Sequence, residues 1–328
     1  MQVENLHTHF MTDRGLVRAV DGVSFALEQG VTLGLVGESG CGKTILCRTL
    51  MGLLPPSAKI SDNAKILFND HDLRRLNEKQ LREIRGREVA MIFQDPMTSL
   101  NPVMQVGAQI SETLIYHLGM SRRQARARGV ELLRAVGISG PERRIDQYPH
   151  QLSGGIRQRV AIAIALACEP KLLIADEPTT ALDVTVQSGI LDLLRAQQRE
   201  RNMSMILITH DLGVVAGRTD EIAVMYAGKM VERSSTKALF GNTRMPYTQA
   251  LMESIPRLGH PTHTRLKTIS GQPPNLIYPP PGCRFAPRCT RAEERCREDE
   301  PLLDSDGTPN HTFACWRPVG APAVGSAA

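Results

Sequence analysis

The stretch Gly37-Glu38-Ser39-Gly40-Cys41-Gly42-Lys43-Thr44 fits the pattern G-x-x-x-x-G-K-[ST]. It stands between a strand-like run, Val31 to Val36, and a helix-like run, Ile45 to Leu54. Its glycines let the backbone turn so that successive N–H groups point into one concavity. Lys43 can then reach the β- and γ-phosphates of a nucleotide, and the Thr44 hydroxyl can hold Mg²⁺. The helix that follows adds its positive end. Glycines in loops commonly serve only the turn, but the adjacent Lys-Thr and the strand-turn-helix setting select phosphate binding.

The rest of the chain supplies strands and helices in the alternation of an α/β domain. Val3 to Phe10 and Val17 to Leu27 alternate apolar and polar residues, with Gly15 between them, and predict a hairpin. Ala64 to Phe68 and Val89 to Phe93 read as strands and Glu78 to Arg85 as a short helix. Helical periodicity takes over at Gln105 to Leu118 and Arg122 to Val136, with Ser121 as N-cap and Gly137 as stop, predicting an inserted helical lobe. Lys171 to Ala175, Met203 to Leu207, Ile222 to Tyr226 and Lys229 to Glu232 read as strands, the last two joined by an Ala227-Gly228 turn. Further helices are predicted at Arg157 to Ala167, Val184 to Arg199, Lys237 to Phe240 and Tyr247 to Ile255.

Several polar side chains fall at the ends of these strands, where open α/β sheets bind ligands. Gln94 follows the Val89 strand, although Gln beside Asp95-Pro96 also reads as turn chemistry. Asp176 and Glu177 follow a buried strand, which solubility does not explain. Asp176 can hold Mg²⁺ through its water shell and Glu177 can polarise a water for attack. His210 follows the Met203 strand; a single His there is usually structural, but this one falls at the ligand-binding edge of the sheet. Ser153-Gly154-Gly155 opens a helix, which is either a second anion-binding surface or a plain N-cap with glycines.

Composition narrows the classes further. The chain has 328 residues, 41% hydrophobic, enough for one large domain and an appendage. The longest uncharged apolar run, Val160 to Cys168, is far short of the roughly 20 residues of a membrane helix. The first residues lack the apolar centre of a secretory signal, so a soluble, cytoplasmic protein is expected. The net charge of +5 is modest. The arginines between Arg122 and Arg128 read as a solvated helix face rather than a nucleic-acid site, because no aromatics are interleaved to stack on bases.

Taken in order, Gly37 to Thr44, Gln94, Leu152-Ser153-Gly154-Gly155-Ile156-Arg157-Gln158-Arg159, Leu172 to Glu177, Ala181-Leu182-Asp183 and His210 resemble an ABC transporter ATPase over residues 1–255. The runs Val89 to Pro102 and Met245 to Leu251 resemble its dipeptide/oligopeptide importer subfamily. The resemblance implies a P-loop NTPase fold with a mixed sheet core, an antiparallel β subdomain and an inserted helical subdomain at about 103–153. It implies that Gly37, Glu38, Ser39, Gly40, Cys41, Gly42, Lys43 and Thr44 bind ATP, and that Thr44, Gln94 and Asp176 hold Mg²⁺. Glu177 is the implied base, Gln94 is implied to sense the γ-phosphate and face the permease, and His210 is implied to keep the γ-phosphate and water in register. Ser153, Gly154 and Gly155 would reach ATP held mainly by a second ATPase subunit, and Asp183 would contact that subunit. Where many members stack an aromatic on adenine, just before the second strand, this chain has Val17-Arg18, so the base contact is expected to be either apolar or the Arg18 guanidinium.

The implied partners are a second, homologous ATPase chain, two transmembrane permease subunits and an extracytoplasmic solute-binding protein, with no nucleic acid. The implied location is peripheral, at the cytoplasmic face of the membrane. Importers of nickel or other small solutes use closely similar ATPases. DNA-repair ATPases of the superfamily carry long coiled-coil insertions that Ile45 to Gln151 is too short to hold.

From Pro256 the composition shifts to a proline-rich linker, 256–282, followed by a cysteine-rich segment, 283–316, and a tail, 317–328. Cys283, Cys289, Cys296 and Cys315 leave five, six and eighteen residues between neighbours, matching neither zinc nor ferredoxin spacing. Disulfides do not suit the cytosol. The importer resemblance implies a [4Fe–4S] cluster on these four thiols, with Zn²⁺ as the alternative. Cys41, Cys47 and Cys168 read as small buried side chains.

Overall fold

The computed structural model describes residues 1–95, 99–179, 182–255, 268–305 and 307–320. Pro96 to Thr98 in the Val89 to Pro102 run, Ala181 of the Ala181-Leu182-Asp183 loop, the first part of the linker and most of the tail lie outside the described residues. The strands in chain order are β1 Gln2–Thr12, β2 Gly15–Ala26, β3 Thr32–Val36, β4 Ala58–Ile60, β5 Lys65–Phe68, β6 His71–Asp72, β7 Val89–Ile92, β8 Leu172–Asp176, β9 Ser204–Thr209, β10 Glu221–Tyr226, β11 Lys229–Ser235 and β12 Thr312–Phe313. The chain forms two compact units. One contains Leu27–Thr32 and Leu67–Ile208, and the other contains Gln2–Ala26, Leu33–Ile66 and the chain from Thr209 onward.

In the first unit β7, β8 and β9 run parallel, in register from Val89↔Leu172 and Leu172↔Ser204. Every residue of β8 is buried, as a continuous apolar strand inside a parallel sheet requires. Around these strands lie the helices Val106–Leu118, Arg122–Ala135, Gly154–Ala165 and Val184–Glu200. Ile110, Leu114, Leu132 and Leu133 make the buried seam of the helical lobe. Ser121 caps Arg122–Ala135 in a capping box with Gln124, and Gly137, at φ 74°, stops it. The arginines of that helix pair with acids, Arg126 with Asp146 and Arg128 with Glu131 and Glu169, which is the solvated face expected.

The signature helix corrects the expected start. It begins at Gly154, three residues before Arg157, and the Arg157 N–H already donates to the Ser153 carbonyl. First-turn N–H groups have no intrahelical partner in any case, so helix breakers are tolerated there.

In the second unit β1 and β2 form the expected hairpin, closing at Thr12↔Gly15, and β4 extends it through Thr8↔Ile60. β3 runs parallel to β10, and β10 turns antiparallel into β11 through Ala227 (φ 48°) and Gly228 (φ 85°). The mixed strand directions expected are thus present. β12, from the cysteine-rich segment, adds to β11 through Glu232↔Phe313.

That segment has more core than its polar composition suggests. Phe285, Phe313 and Ala314 are buried, and Phe285 packs against Tyr226 and Tyr247 with ring centroids 5.3 and 5.2 Å away. Glu232 and His311, both fully buried, pair at 2.8 Å, and the backbone N–H groups of Arg244 and Met245 donate to the same carboxylate. The described part of the linker also packs: the Arg18 N–H on β2 donates to the Leu276 carbonyl at 3.1 Å.

Candidate functional site

The phosphate loop, Arg18 and the four C-terminal cysteines belong to the second unit, with His210, while Gln94, Ser153 to Gly155, Asp176, Glu177 and Asp183 belong to the first. β3 delivers the loop and the helix Lys43–Leu50 leaves it. Two glycines are obligatory for its shape. A Cβ on Gly37 would lie 2.2 Å from the Met225 carbonyl oxygen, and one on Gly42 would lie 2.1 Å from that of Ala19. Both also have positive φ, 158° and 103°, the latter well inside the region that disfavours a side chain.

The Lys43 side chain is buried and its ammonium donates to the carbonyl oxygens of Gly37 at 2.7 Å and Glu38 at 3.0 Å. A buried cation needs such acceptors, and they hold Nζ over the loop where phosphate oxygens can take their place. Ser39 and Gly40 are exposed and Thr44 is half-buried in the first helical turn. Cys41 is buried, with burial raising its thiol pKa, which fits a packing role. The Glu38 N–H donates to the Tyr247 hydroxyl at 2.9 Å.

The hairpin register brings a ring beside the candidate base contact. Phe10, half-buried on β1, pairs with Val17, so an aromatic stands one strand across from Val17-Arg18. The signal was the hairpin register, which the sequence alone does not display.

In the first unit, Asp176 is the buried last residue of β8 and Glu177 follows it, half-buried, at φ 44°. That left-handed backbone is uncommon outside glycine and costs about 1–2 kcal/mol. The Glu177 N–H donates to the Ile208 carbonyl at 3.1 Å, which fixes the turn. Gln94, exposed beyond β7, donates from Nε2 to Glu177 Oε2 at 3.1 Å. The structure thus brings these two residues together.

Ser153 occupies the N-cap of the signature helix, but its exposed hydroxyl makes no capping bond. Gly155 lies against Val186: a Cβ there would be 3.0 Å from Val186 Cγ1. Asp183 caps the helix Val184–Glu200 by accepting from the Val186 N–H at 2.9 Å. His210 follows β9, exposed, and its neighbour Asp211 caps a short helix through the Gly213 N–H.

Cys283, Cys289, Cys296 and Cys315 line one small cavity with Phe285, Ala286 and Trp316. Burial pushes the Cys283 thiol up to about 11 and the Cys315 thiol up to about 12. Backbone N–H groups oppose that rise. Those of Phe285 and Ala286 serve Cys283, that of Arg291 serves Cys289 at 3.4 Å, and that of Arg317 serves Cys315. N–H groups aimed at sulfur favour thiolates, the form in which cysteine binds metal. A metal bound there would require these thiols to lose their protons.

Comparison with known proteins agrees with this geometry. The ABC transporter family model matches residues 20–180, and the model for the C-terminal region of oligopeptide/dipeptide transporters matches 231–296. A solved dimeric ATP-binding cassette in a post-hydrolysis state bound to ADP and Pi shares 26% identity and a TM-score of 0.63, covering 72% of this chain and 98% of that one. Strand, phosphate loop, signature helix and paired acids are those of an ATP-binding cassette.

The relatives narrow the class. The chain is 52% identical to the dipeptide transport ATP-binding protein of Bacillus subtilis, over 96% of this chain and 94% of the relative. It is 48% identical to that of Escherichia coli, over 93% and 92%. It therefore belongs to the ABC transporter family, among the dipeptide and oligopeptide transport ATP-binding proteins.

Proposed function

We propose that this chain is the ATP-hydrolysing subunit of an importer that takes dipeptides or oligopeptides across the cytoplasmic membrane. The observation that carries the reading is the contact between Gln94 and Glu177 at the end of β8, in a chain about half identical along its length to dipeptide transport ATP-binding proteins. Gly37 to Thr44 receive the phosphates of ATP, with the Lys43 ammonium exchanging loop carbonyls for phosphate oxygens. Thr44, Gln94 and Asp176 are suited to hold Mg²⁺, which when bound neutralises charge on the β- and γ-oxygens. Glu177 accepts a proton from the attacking water, and His210 holds that water in register. Arg18 and Phe10 contact the base.

Ser153, Gly154 and Gly155, with a hydroxyl not consumed in capping, reach the ATP held by a second ATPase chain, and Asp183 meets that chain. Closure of the pair on two ATP molecules pulls on two permease subunits, supplied with solute by an extracytoplasmic binding protein. Among the described residues no helix is long and apolar enough to cross a membrane, which suits a peripheral subunit at the cytoplasmic face. Val103 and Tyr116, 80% and 54% exposed on the helical lobe, offer the permease an apolar contact.

The four cysteines fit a metal group in donor type and in the N–H groups around them. Cys283, Cys289, Cys296 and Cys315 would hold a [4Fe–4S] cluster in a structural role. A structural Zn²⁺ on the same four thiols is the alternative. Anaerobically purified protein with a broad absorption near about 400 nm supports the cluster. Colourless protein with stoichiometric zinc replaces it. Co-purification from native membranes tests the transport reading: permease subunits and bound peptide are expected, and recovery without any membrane partner refutes it.

A further inference from the structure

The cysteine-rich segment reaches the phosphate loop through one side chain. Arg288 ends the single turn Ala286–Arg288, immediately before Cys289. Its side chain is 4% exposed, and the guanidinium faces Glu38, the second residue of the loop, in two parallel bonds: Nη1 to Oε2 at 2.6 Å and Nη2 to Oε1 at 2.9 Å. Its remaining donors are also engaged. Nη1 donates to the Tyr226 hydroxyl at 3.2 Å, Nη2 to the Ile269 carbonyl at 3.3 Å and Nε to the Ser270 carbonyl at 3.0 Å. A buried guanidinium is tolerable only with such complete pairing, and the planar fork fixes the carboxylate in angle as well as distance.

Glu38 is held on every side. Its N–H donates to Tyr247, its carbonyl accepts from the Lys43 ammonium, and its carboxylate accepts from Arg288. The same pairing neutralises an anion that would otherwise stand beside incoming phosphate. A second arginine of the segment, Arg284, follows Cys283 and donates to the Ala227 carbonyl and to Asp21. Next to Ala227, the Gly228 N–H donates to the Cys41 carbonyl inside the loop. Of the four arginines next to cysteines in the segment, Arg284 and Arg288 therefore end on the loop or its supports, while Arg295 stacks on Trp316.

We propose that Arg288 is a positioning residue for ATP binding, which makes the geometry and charge of the phosphate loop depend on the folded, metal-loaded cysteine segment. This rests on the reading of the loop as an ATP site and of the cysteines as a metal site. It assigns the segment a role in nucleotide affinity and not in electron transfer. Loss of a cysteine ligand beside Arg288 is then felt at Glu38.

The test uses the full chain in its native assembly, with Mg·ATP affinity measured on a fluorescent nucleotide and metal content and melting temperature measured in parallel. Arg288→Gln should weaken Mg·ATP binding roughly tenfold or more, the scale of a lost charge-assisted bond, with the same rise in KM for ATP. Arg288→Gln with Glu38→Gln should bind more tightly than Arg288→Gln alone, because the stranded carboxylate is gone, an outcome that general loosening of the fold does not give. Cys289→Ser should weaken binding in the wild-type background and have little further effect in the double variant. Equal affinity of Arg288→Gln and wild type, or equally weak binding by single and double variants, overturns the proposal. If Arg288→Gln does not fold, the cysteine substitution in the wild-type and Glu38→Gln backgrounds decides, and equal losses in both overturn it. Wild-type chain that binds no Mg·ATP, or holds no metal, instead removes the underlying reading.

Discussion

Gly40 and Gly42 occupy the same loop with similar positive φ, 78° and 103°, yet replacing each by alanine should have unequal effects. A Cβ on Gly40 meets nothing within 4 Å. Gly40→Ala then costs only the backbone preference, about 1–2 kcal/mol. A Cβ on Gly42 lies 2.1 Å from the Ala19 oxygen and 3.3 Å from the Ala19 carbonyl carbon, both backbone atoms of β2 that no rotamer change can move. Overlap of this kind adds roughly 1–3 kcal/mol. At about 2–4 °C per kcal/mol for a chain of this size class, Gly42→Ala should melt several degrees below Gly40→Ala. Differential scanning fluorimetry of both variants, with and without Mg·ATP, measures the gap. Equal melting temperatures would mean that the loop does not press against β2.

Other expectations follow from single contacts. Burial would raise the Asp21 carboxyl, but hydrogen bonds from His7 and Arg284 and the Arg284 charge outweigh it and hold the group well below the usual carboxylate range. Because the folded pKa is depressed, the associated stability is present above the unfolded pKa of about 3.9 and lost as pH falls through the folded value. Asp21→Asn should therefore be less stable than wild type at pH 7, with the difference shrinking below about pH 4 in urea titrations. Phe285→Ala should cost about 3–5 kcal/mol, as for buried aromatics generally. Glu232→Ala should cost a similar amount, about 3–5 kcal/mol, because it strands buried His311; calorimetry of both variants checks this.

The legible parts of the molecule are those in which neighbours in sequence are neighbours in space. The phosphate loop, the Ala227-Gly228 turn and the Ser121 cap were readable because glycine and capping chemistry act over a few residues. The start of the signature helix was not, because Gly154 and Gly155 count against helix in propensity although the first turn makes no demand on their N–H groups. β12 is two residues long and becomes a strand only by pairing with β11. Phe10 was hidden by hairpin register. The gathering of cysteines separated by five, six and eighteen residues, and the Arg288 to Glu38 pair, depend on long-range folding that no local pattern encodes.

We assign Glu177, at the end of β8 and held by Gln94, as the base for ATP hydrolysis. The direct measurement is steady-state turnover by the assembled, membrane-reconstituted complex carrying Glu177→Gln, with nucleotide affinity measured on the same sample. Turnover should fall by about 10²–10⁴-fold, the range for a general base, while Mg·ATP binding persists. Turnover equal to wild type would rule out Glu177 as the base.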